Sequence, residues 1–376
     1  MFLALGTRHA KRGPDTIAQA ANPARREVRV TWASMAVNSP MGQQVYETQI
    51  QAALTRAADP SRWAFSRLTM RSLRSPVPGD KRYPAGLIAN GPLWAAHAVG
   101  AVSYRGAQLV HRFDLRLPPA SGPEVITVHD LPPLRFSDEG PIPRHAAASA
   151  QKARRVICPS GFAASEVKEL LGTDNIAVIP YGLAEAYREP DPIGQAGLQK
   201  LSLSRPYIVH AAGATARKNL ASLAAAWAQV ARQFPDLHLA LCGPPDDRRT
   251  NLFRALPRVR LLGRLEASVV ASLMAGAAAV VVPSLYEGFG LPALEGMACG
   301  VPVVAANAGA LPEVCAGAAH LVDPSPEGLA AGLLRVLTDE DLNTRLRRAG
   351  PLRASMFTWE KAARLHLEVY EQVVSA

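Results

Sequence analysis

Residues 283–302 read Pro-Ser-Leu-Tyr-Glu-Gly-Phe-Gly-Leu-Pro-Ala-Leu-Glu-Gly-Met-Ala-Cys-Gly-Val-Pro and stand between two valine-rich apolar runs, 277–282 and 301–306. Short continuous runs of this kind predict strands buried in a parallel sheet, so a strand-loop-helix unit lies between them. Pro292 suits the first helical position, because its missing N–H has no intrahelical partner there and its φ is already helical. Gly300 followed by Pro302 ends the helix. The helix is therefore short, with Glu295 expected in its first turn. Free amides of Gly290, Leu291 and their neighbours would project from its start, where the helix dipole adds positive potential, and a phosphate suits such an end. Gly288 and Gly290 let a ligand approach the backbone closely. Glu287 and Glu295 flank this anion site, and carboxylates so placed are better suited to hydroxyl groups than to phosphates. A phosphate between two hydroxyl-binding carboxylates is the outline of a nucleotide sugar.

A second turn carries cations. The strand expected at 207–211 is followed by Gly213-Ala214-Thr215-Ala216-Arg217-Lys218-Asn219-Leu220 and then a helix to about 234. Arg can bind two oxygens at once while Lys supplies a compact charge, so this turn suits a diphosphate. A merely solvated pair at a helix start is disfavoured by the dipole. In the first half of the chain, Val125-Ile126-Thr127-Val128 reads as a strand ending in His129 and Asp130. Residues that follow the carboxyl end of a parallel strand face the crevice where α/β proteins bind ligands. A further strand at 155–160 runs into a helix at 161–171, and 175–180 is the last strand of this half.

A chain of 376 residues is too long for a typical single core, so two domains are expected. The 48% hydrophobic content, few aromatics and alternating strand and helix patterns indicate an α/β protein. No apolar run approaches membrane-spanning length, and residues 1–6 lack the apolar length and basic lead of a signal peptide, so a cytoplasmic location is the expectation. Cys158, Cys242, Cys299 and Cys315 form no close pair, which argues against a zinc ribbon or a disulfide scaffold and for core positions. The net charge of +10 sits mostly in the first half, where residues 1–190 hold 23 Lys and Arg against 15 Asp and Glu.

Residues 1–26 show no periodicity and read as an extension. A first strand at 27–32 leads through a loop at 34–42 to a helix at 43–57. Seven basic residues at 56, 62, 67, 71, 74, 81 and 82 lie among Trp63, Phe65, Leu68, Met70 and Leu73. The preferred reading is a strand and a solvated loop; the other is a face for an anionic membrane or a lipid-linked acceptor. No recognised nucleic-acid module accompanies the charge, so nucleic acid is not an expected partner. Asp339-Glu340-Asp341 opens a helix, where acidic residues complement the dipole, and is not read as a metal motif.

The 283–302 stretch closely resembles the signature of the retaining family 4 glycosyltransferases: a glutamate, seven residues and a second glutamate, set in Ser-Leu-Tyr-Glu-Gly-Phe-Gly-Leu-Pro. Residues 217–219 match that family's Arg-Lys-Asn motif, although Ala212 stands where the family usually has Gly. Val128-His129-Asp130 is similar to its Val-His-Asp strand end, and Tyr181-Gly182-Leu183 to its Asn-Gly-Val turn with Tyr in place of Asn. The segment 307–313 resembles its Gly-Gly-Leu-Pro-Glu loop. The resemblance is dense from about 125 to 375 and thin before that.

It implies a GT-B architecture, two Rossmann-like domains facing a central cleft, with a C-terminal helix crossing back to the first. The expected divisions are an extension at 1–26, an acceptor-binding domain at 27–188, a linker at 189–199, a nucleotide-sugar-binding domain at 200–356 and the final helix at 357–376. By resemblance, Glu287 binds hydroxyls of the donor sugar, Glu295 binds the ribose, and His129 lies close to the reacting sugar. Arg217 and Lys218, with the helix end at Gly290, take the leaving diphosphate. Gly213, Asn219, Gly288, Phe289 and Leu291 complete the donor site, Gly263 and Arg264 meet the base, and Gly42 is what remains of a glycine-rich first loop. The implied activity is retaining hexosyl transfer without metal or other cofactor. The motif wording is nearest to mannosyltransferases, so GDP-mannose leads and a UDP-sugar is the alternative donor. The implied acceptor is a hydroxyl of a glycan, a lipid-linked sugar or a small molecule. Two other classes stay open. A non-catalytic scaffold of this fold would be expected to lose Glu287, Lys218 or His129, and all three are present. A phosphorylase using pyridoxal phosphate needs a dedicated lysine site that is not found.

Overall fold

The computed structural model describes residues 27–37 and 42–376; the expected extension at 1–26 and part of the first loop, 38–41, lie outside the described residues. Strands β1 (Val28–Met35), β2 (Trp63–Ser72), β3 (Lys81–Tyr83), β4 (Leu109–Arg112), β5 (Glu124–Thr127), β6 (Arg155–Cys158) and β7 (Ile176–Val178) form one sheet in the order β3-β2-β1-β4-β5-β6-β7. Strands β8 (Tyr207–Ala211), β9 (His238–Cys242), β10 (Val259–Gly263), β11 (Ala279–Val282), β12 (Val303–Ala306) and β13 (His320–Val322) form a second in the order β10-β9-β8-β11-β12-β13. Every pairing in both sheets is parallel. Helices therefore cover both faces, which is why the central runs Ala-Val-Val-Val and Val-Val-Ala-Ala are buried at every residue. These are two Rossmann-like units.

The order of each sheet reverses once, between β1 and β4 and between β8 and β11, and ligands of open α/β sheets bind outside the strand ends at such points. The turn carrying Arg217 and Lys218 follows β8, and the loop carrying Glu287 follows β11. Both cation and carboxylate motifs thus meet at one switch point.

Local chemistry explains the connecting helices. Ser160 caps the helix Gly161–Leu171 by accepting from the Ala163 amide, and Gly172 closes it in the left-handed conformation at φ 67°. Asp339 caps Glu340–Ala354 by accepting from the Leu342 amide, so the acidic triplet has the helix-starting role read from the sequence. The linker segment is less open than its prolines and glycines suggest, since Gln195–Lys200 forms a helical turn and a half. The four cysteines are buried or partly buried and unpaired.

The helix Trp359–Ser375 buries Trp359, Ala362, Ala363, His366, Val369, Tyr370 and Val373, a stripe at spacings of three and four. That stripe faces the first domain and packs on the helix Gly42–Ala57. Trp32 Nε1 donates to Tyr370 Oη at 3.2 Å, the same hydroxyl lies 2.6 Å from His111 Nδ1, and Arg62 pairs with Glu371 at 2.8 Å. The chain's last helix thus crosses back from the second domain, as the resemblance implies. Among the described residues no helix is long and apolar enough to cross a membrane.

Candidate active site

Lys218 is the centre of the site. Its Nζ donates to Glu287 Oε1 at 2.6 Å, and Arg217 Nη1 lies 3.5 Å from Glu287 Oε2. Both ends of the Lys218–Glu287 pair are almost out of solvent, with side chains 10% and 7% exposed. Burial pushes the Glu287 carboxyl up, but the charges of Lys218 and Arg217 outweigh it and hold the group below its ordinary value. The site therefore carries a fully ionised carboxylate between two cations. The two loops are also tied along the backbone, because the Leu285 amide donates to the Arg217 carbonyl at 2.8 Å.

Asn219 adopts φ 55° and sends its amide to the Pro283 and Pro324 carbonyls, at 3.0 and 2.8 Å. Its side chain fastens the cation turn to the Glu287 loop. Gly290, at φ 98°, starts the helix Leu291–Ala298, and a Cβ there would stand 2.7 Å from Leu311 Cδ2. Because the helix begins at Leu291, Glu295 falls in its second turn and not, as expected, in its first; the residue turns inward beside Tyr187, where burial pushes its carboxyl up to about 7. Phe289 is 4% exposed and packs on Tyr181 and Phe357, with ring centroids 4.7 and 5.6 Å away. Its side chain belongs to the domain seam.

His129 reaches the same place from the first domain. A Cβ on Gly288 would lie 2.2 Å from the His129 carbonyl oxygen, so only glycine allows these two loops to touch as they do. The imidazole stands edge-on to Tyr46 at 4.9 Å, its Nδ1 meets the Tyr181 hydroxyl, and its Nε2 is buried with no hydrogen-bond partner. Burial pushes its pKa down to about 4, leaving the ring neutral. Gly42 opens its helix close to Leu291, with Leu291 Cδ1 3.9 Å from the point where a Gly42 Cβ would stand. Gly213 lies in the partly buried approach to the cation turn. Gly263 ends β10 at φ 66°, and its carbonyl accepts from the Gly243 amide at 2.8 Å, beside Ala212. Arg264 follows it on the surface.

The structure adds residues to which the sequence assigned no role in the site. Arg217 Nε donates to Glu139 Oε1 at 2.8 Å, and Nη1 lies 3.7 Å from Asp130 Oδ2. Asp138 Oδ2 accepts from the Ala216 amide at 2.6 Å and lies 3.3 Å from Arg248 Nη1. Elsewhere along the seam, Ser160 Oγ donates to the Gly288 carbonyl at 2.6 Å, and the Glu313 carboxylate accepts from the Gly161 and Phe162 amides at 2.9 and 3.2 Å. For Asp130 and Glu313 a signal existed in the Val-His-Asp strand end and the 307–313 loop. For Asp138 and Glu139 there was none. Among the described residues no group of three or more His, Cys, Asp or Glu is arranged to hold a metal ion.

The family model described as glycosyl transferases group 1 matches residues 205–339. The matched segment makes up most of the second domain. It comprises the cation turn and the whole of the Glu287–Glu295 stretch. Over 235 residues, 59% of this chain, the protein is 30% identical to the O-antigen chain mannosyltransferase B of Escherichia coli. That match spans 62% of the relative's length. The fold is similar to sucrose-phosphate synthase of Thermosynechococcus elongatus, with a TM-score of 0.71 over 93% of this chain and 100% of that one at 22% identity. It is also similar to the Anabaena protein HepE in complex with UDP and glucose, with a TM-score of 0.68 over 93% and 100% of the two chains at 18% identity. The second domain of this chain thus sits in a GT-B arrangement, facing the Rossmann-like unit that supplies His129.

Proposed function

We propose that the protein is a retaining, metal-independent glycosyltransferase that moves mannose from GDP-mannose to a hydroxyl of a glycan, lipid-linked or small-molecule acceptor. The reading is carried by one observation, the convergence of Lys218, Arg217 and Glu287 at the β8/β11 switch point beside the helix start at Gly290. The diphosphate takes Lys218 and Arg217, and these fixed cations stabilise the charge that develops on it as it leaves, in place of a metal ion. Glu287, released from Lys218 by the phosphate, turns to the sugar hydroxyls, and Glu295 takes the ribose. Neutral His129 offers its unpartnered Nε2 to the reacting sugar. The acceptor attacks from the face the diphosphate leaves, and the departing phosphate receives its proton. Mannose is favoured by the similarity to a mannosyltransferase and by the motif wording. A peripheral contact with an anionic membrane on the cytoplasmic side fits a lipid-linked acceptor; the exposed Trp94 and Val102 and the basic residues near β2 support it.

Thermal shifts with GDP, UDP, ADP and TDP test the donor, since a ligand that binds only the folded state raises the melting temperature. The expected result is a shift with GDP, unchanged by magnesium and lost in Lys218→Ala. A shift with UDP alone moves the donor to a UDP-sugar, and a shift with none of them overturns the nucleotide-sugar reading. Hydrolysis of GDP-mannose by the wild type separates an enzyme from a scaffold.

A further inference from the structure

The cation turn is already engaged by anions of the protein's own. Ser137–Glu139 is a single 3-10 turn of the first domain, and it presents two adjacent carboxylates across the cleft. Asp138 takes the Ala216 amide and Arg248, while Glu139 takes Arg217 through its Nε. These are the groups that, on the donor-site reading above, meet the diphosphate or border it.

The charge balance shows that the arrangement must change when such a ligand arrives. Asp130, Asp138, Glu139 and Glu287 gather around Arg217, Lys218 and Arg248, so the anions outnumber the cations among the residues described there. A diphosphate adds further negative charge in a partly desolvated cleft, where like charges repel strongly. One pair of carboxylates has to leave. The Glu287 backbone is held in place, because its carbonyl accepts from the Ala310 amide at 3.0 Å and its neighbour Gly288 is pressed on His129, so its carboxylate can turn from Lys218 but stays within the site. Asp130 follows directly after His129 at the end of β5, on the same locked contact. Asp138 and Glu139 differ: they stand on a short turn followed by Gly140 at φ 79° and exposed Pro141, and the Asp138 side chain is 37% exposed. The turn is anchored at its start, by Arg135 paired to Glu166 of its own domain at 2.8 Å and by Phe136 edge-on to Tyr286 of the second domain at 5.9 Å.

We infer that Asp138 and Glu139 are specificity-determining residues: a built-in pair of anions that a ligand must displace from the cation turn, which selects nucleoside diphosphates over monophosphates and free phosphate. A single phosphoryl group replaces one carboxylate and leaves the other clamped across the cleft. A diphosphate replaces both. The pair therefore penalises every anion but penalises the smaller ones most, and it holds the cleft closed until the donor is bound. This inference rests on the proposed donor site and adds to it the residues that set its selectivity.

The test is calorimetric titration of GDP, GMP, UDP, UMP and inorganic pyrophosphate into the wild type, Asp138→Asn, Glu139→Gln and the double variant. Amide hydrogen exchange is followed in parallel at 137–140 and 215–219. The double variant is expected to bind its preferred nucleoside diphosphate about tenfold more tightly, the loss of a repulsive carboxylate pair being of that order. Its preference for diphosphate over monophosphate should fall severalfold. Each single variant should lie between, which guards against a folding defect in the double. Exchange at 215–219 should rise in the free double variant and fall again when the diphosphate is added. Equal or weaker diphosphate binding with an unchanged preference overturns the inference and leaves the donor reading intact. If neither wild type nor variants bind any diphosphate, the donor reading itself has failed and this inference falls with it.

Discussion

The Lys218–Glu287 pair shows why one side chain here cannot be read alone. Two almost fully buried opposite charges hold each other, and removing Lys218 leaves the buried Glu287 carboxylate to the longer contact with Arg217 at 3.5 Å. Lys218→Ala should lower unfolding stability by about 3 kcal/mol, of the order found when a buried pair is broken. Lys218→Ala combined with Glu287→Ala should cost clearly less than the two single changes added together. Urea denaturation of the four proteins checks this, and additive losses would show that the pair is not coupled. Glu295 gives a pH-dependent counterpart. Its carboxyl is raised from 4.5 to about 7 by burial, so the folded state holds a proton that the unfolded chain releases. A raised carboxyl leaves stability intact below pH 4.5 and removes it progressively as pH climbs through about 7. Glu295→Gln should therefore gain melting temperature relative to the wild type between pH 5 and 8 and show no such gain near pH 4, as thermal melts across that range would record. The identity of these residues was legible in sequence, since the two motifs are contiguous and chemically distinctive. Their ionisation was not, because it depends on the burial of groups that neither motif contains.

At the scale of the element, the C-terminal helix is the clearest case. Its stripe of buried residues is plain from spacing, and its crossing to the first domain follows the resemblance. The polar contacts that seat it had no sequence signal. His366 Nδ1 bonds the Ala362 carbonyl at 2.8 Å and so carries the proton there, which leaves Nε2 to accept from the Tyr46 hydroxyl at 2.9 Å. His111, also buried and pushed well below its ordinary value, stands 5.8 Å away ring to ring, with Tyr370 between the helix and the sheet. Burial holds His366 down at about 4 against 6.5. A depressed histidine favours the fold above pH 6.5 and costs stability as pH falls toward about 4, by up to about 1.4 kcal/mol per pH unit for each proton taken up on unfolding. Acid should release this helix before the core of the second domain, seen as a change in tryptophan emission near Trp359 and Trp32. His366→Leu should make that acid limb shallower, and an unchanged limb would place the titrating group elsewhere. The strands show a similar division. The run 207–211 and the helix 161–171 were read to the residue, whereas β4 was missed because its Leu-Val-His-Arg sequence ends in polar side chains. Their burial is made tolerable by distant partners, His111 by Thr127 and Arg112 by Glu124.

For the whole molecule, the decisive feature is the seam between the two Rossmann-like units. Gly288 against the His129 carbonyl, Ser160 on the Gly288 carbonyl, Glu313 on the Gly161 helix start and Glu139 on Arg217 all cross it. Gly288→Ala places a methyl 2.2 Å from a backbone oxygen, and neither loop can yield without shifting Glu287 or His129. The variant should lose about 1–3 kcal/mol of stability, as overpacked sites do, and bind nucleoside diphosphate at least tenfold more weakly by calorimetry. Unchanged affinity would show that the contact does not position the site. What the sequence determined by itself was local: parallel strands from their valine runs, helix ends from Pro, Gly, Ser and Asp, and two motifs whose residue types and spacing give the outline of the proposed donor site. Such features rest on backbone geometry within a few residues, which order along the chain encodes directly. What only the tertiary structure decided was which charges meet. Arg217 and Glu139, 78 positions apart, or Tyr370 and Trp32, 338 apart, become partners because the sheets and the crossing helix bring them together. Only there, with solvent removed, do charge, distance and burial decide how tightly the site is held.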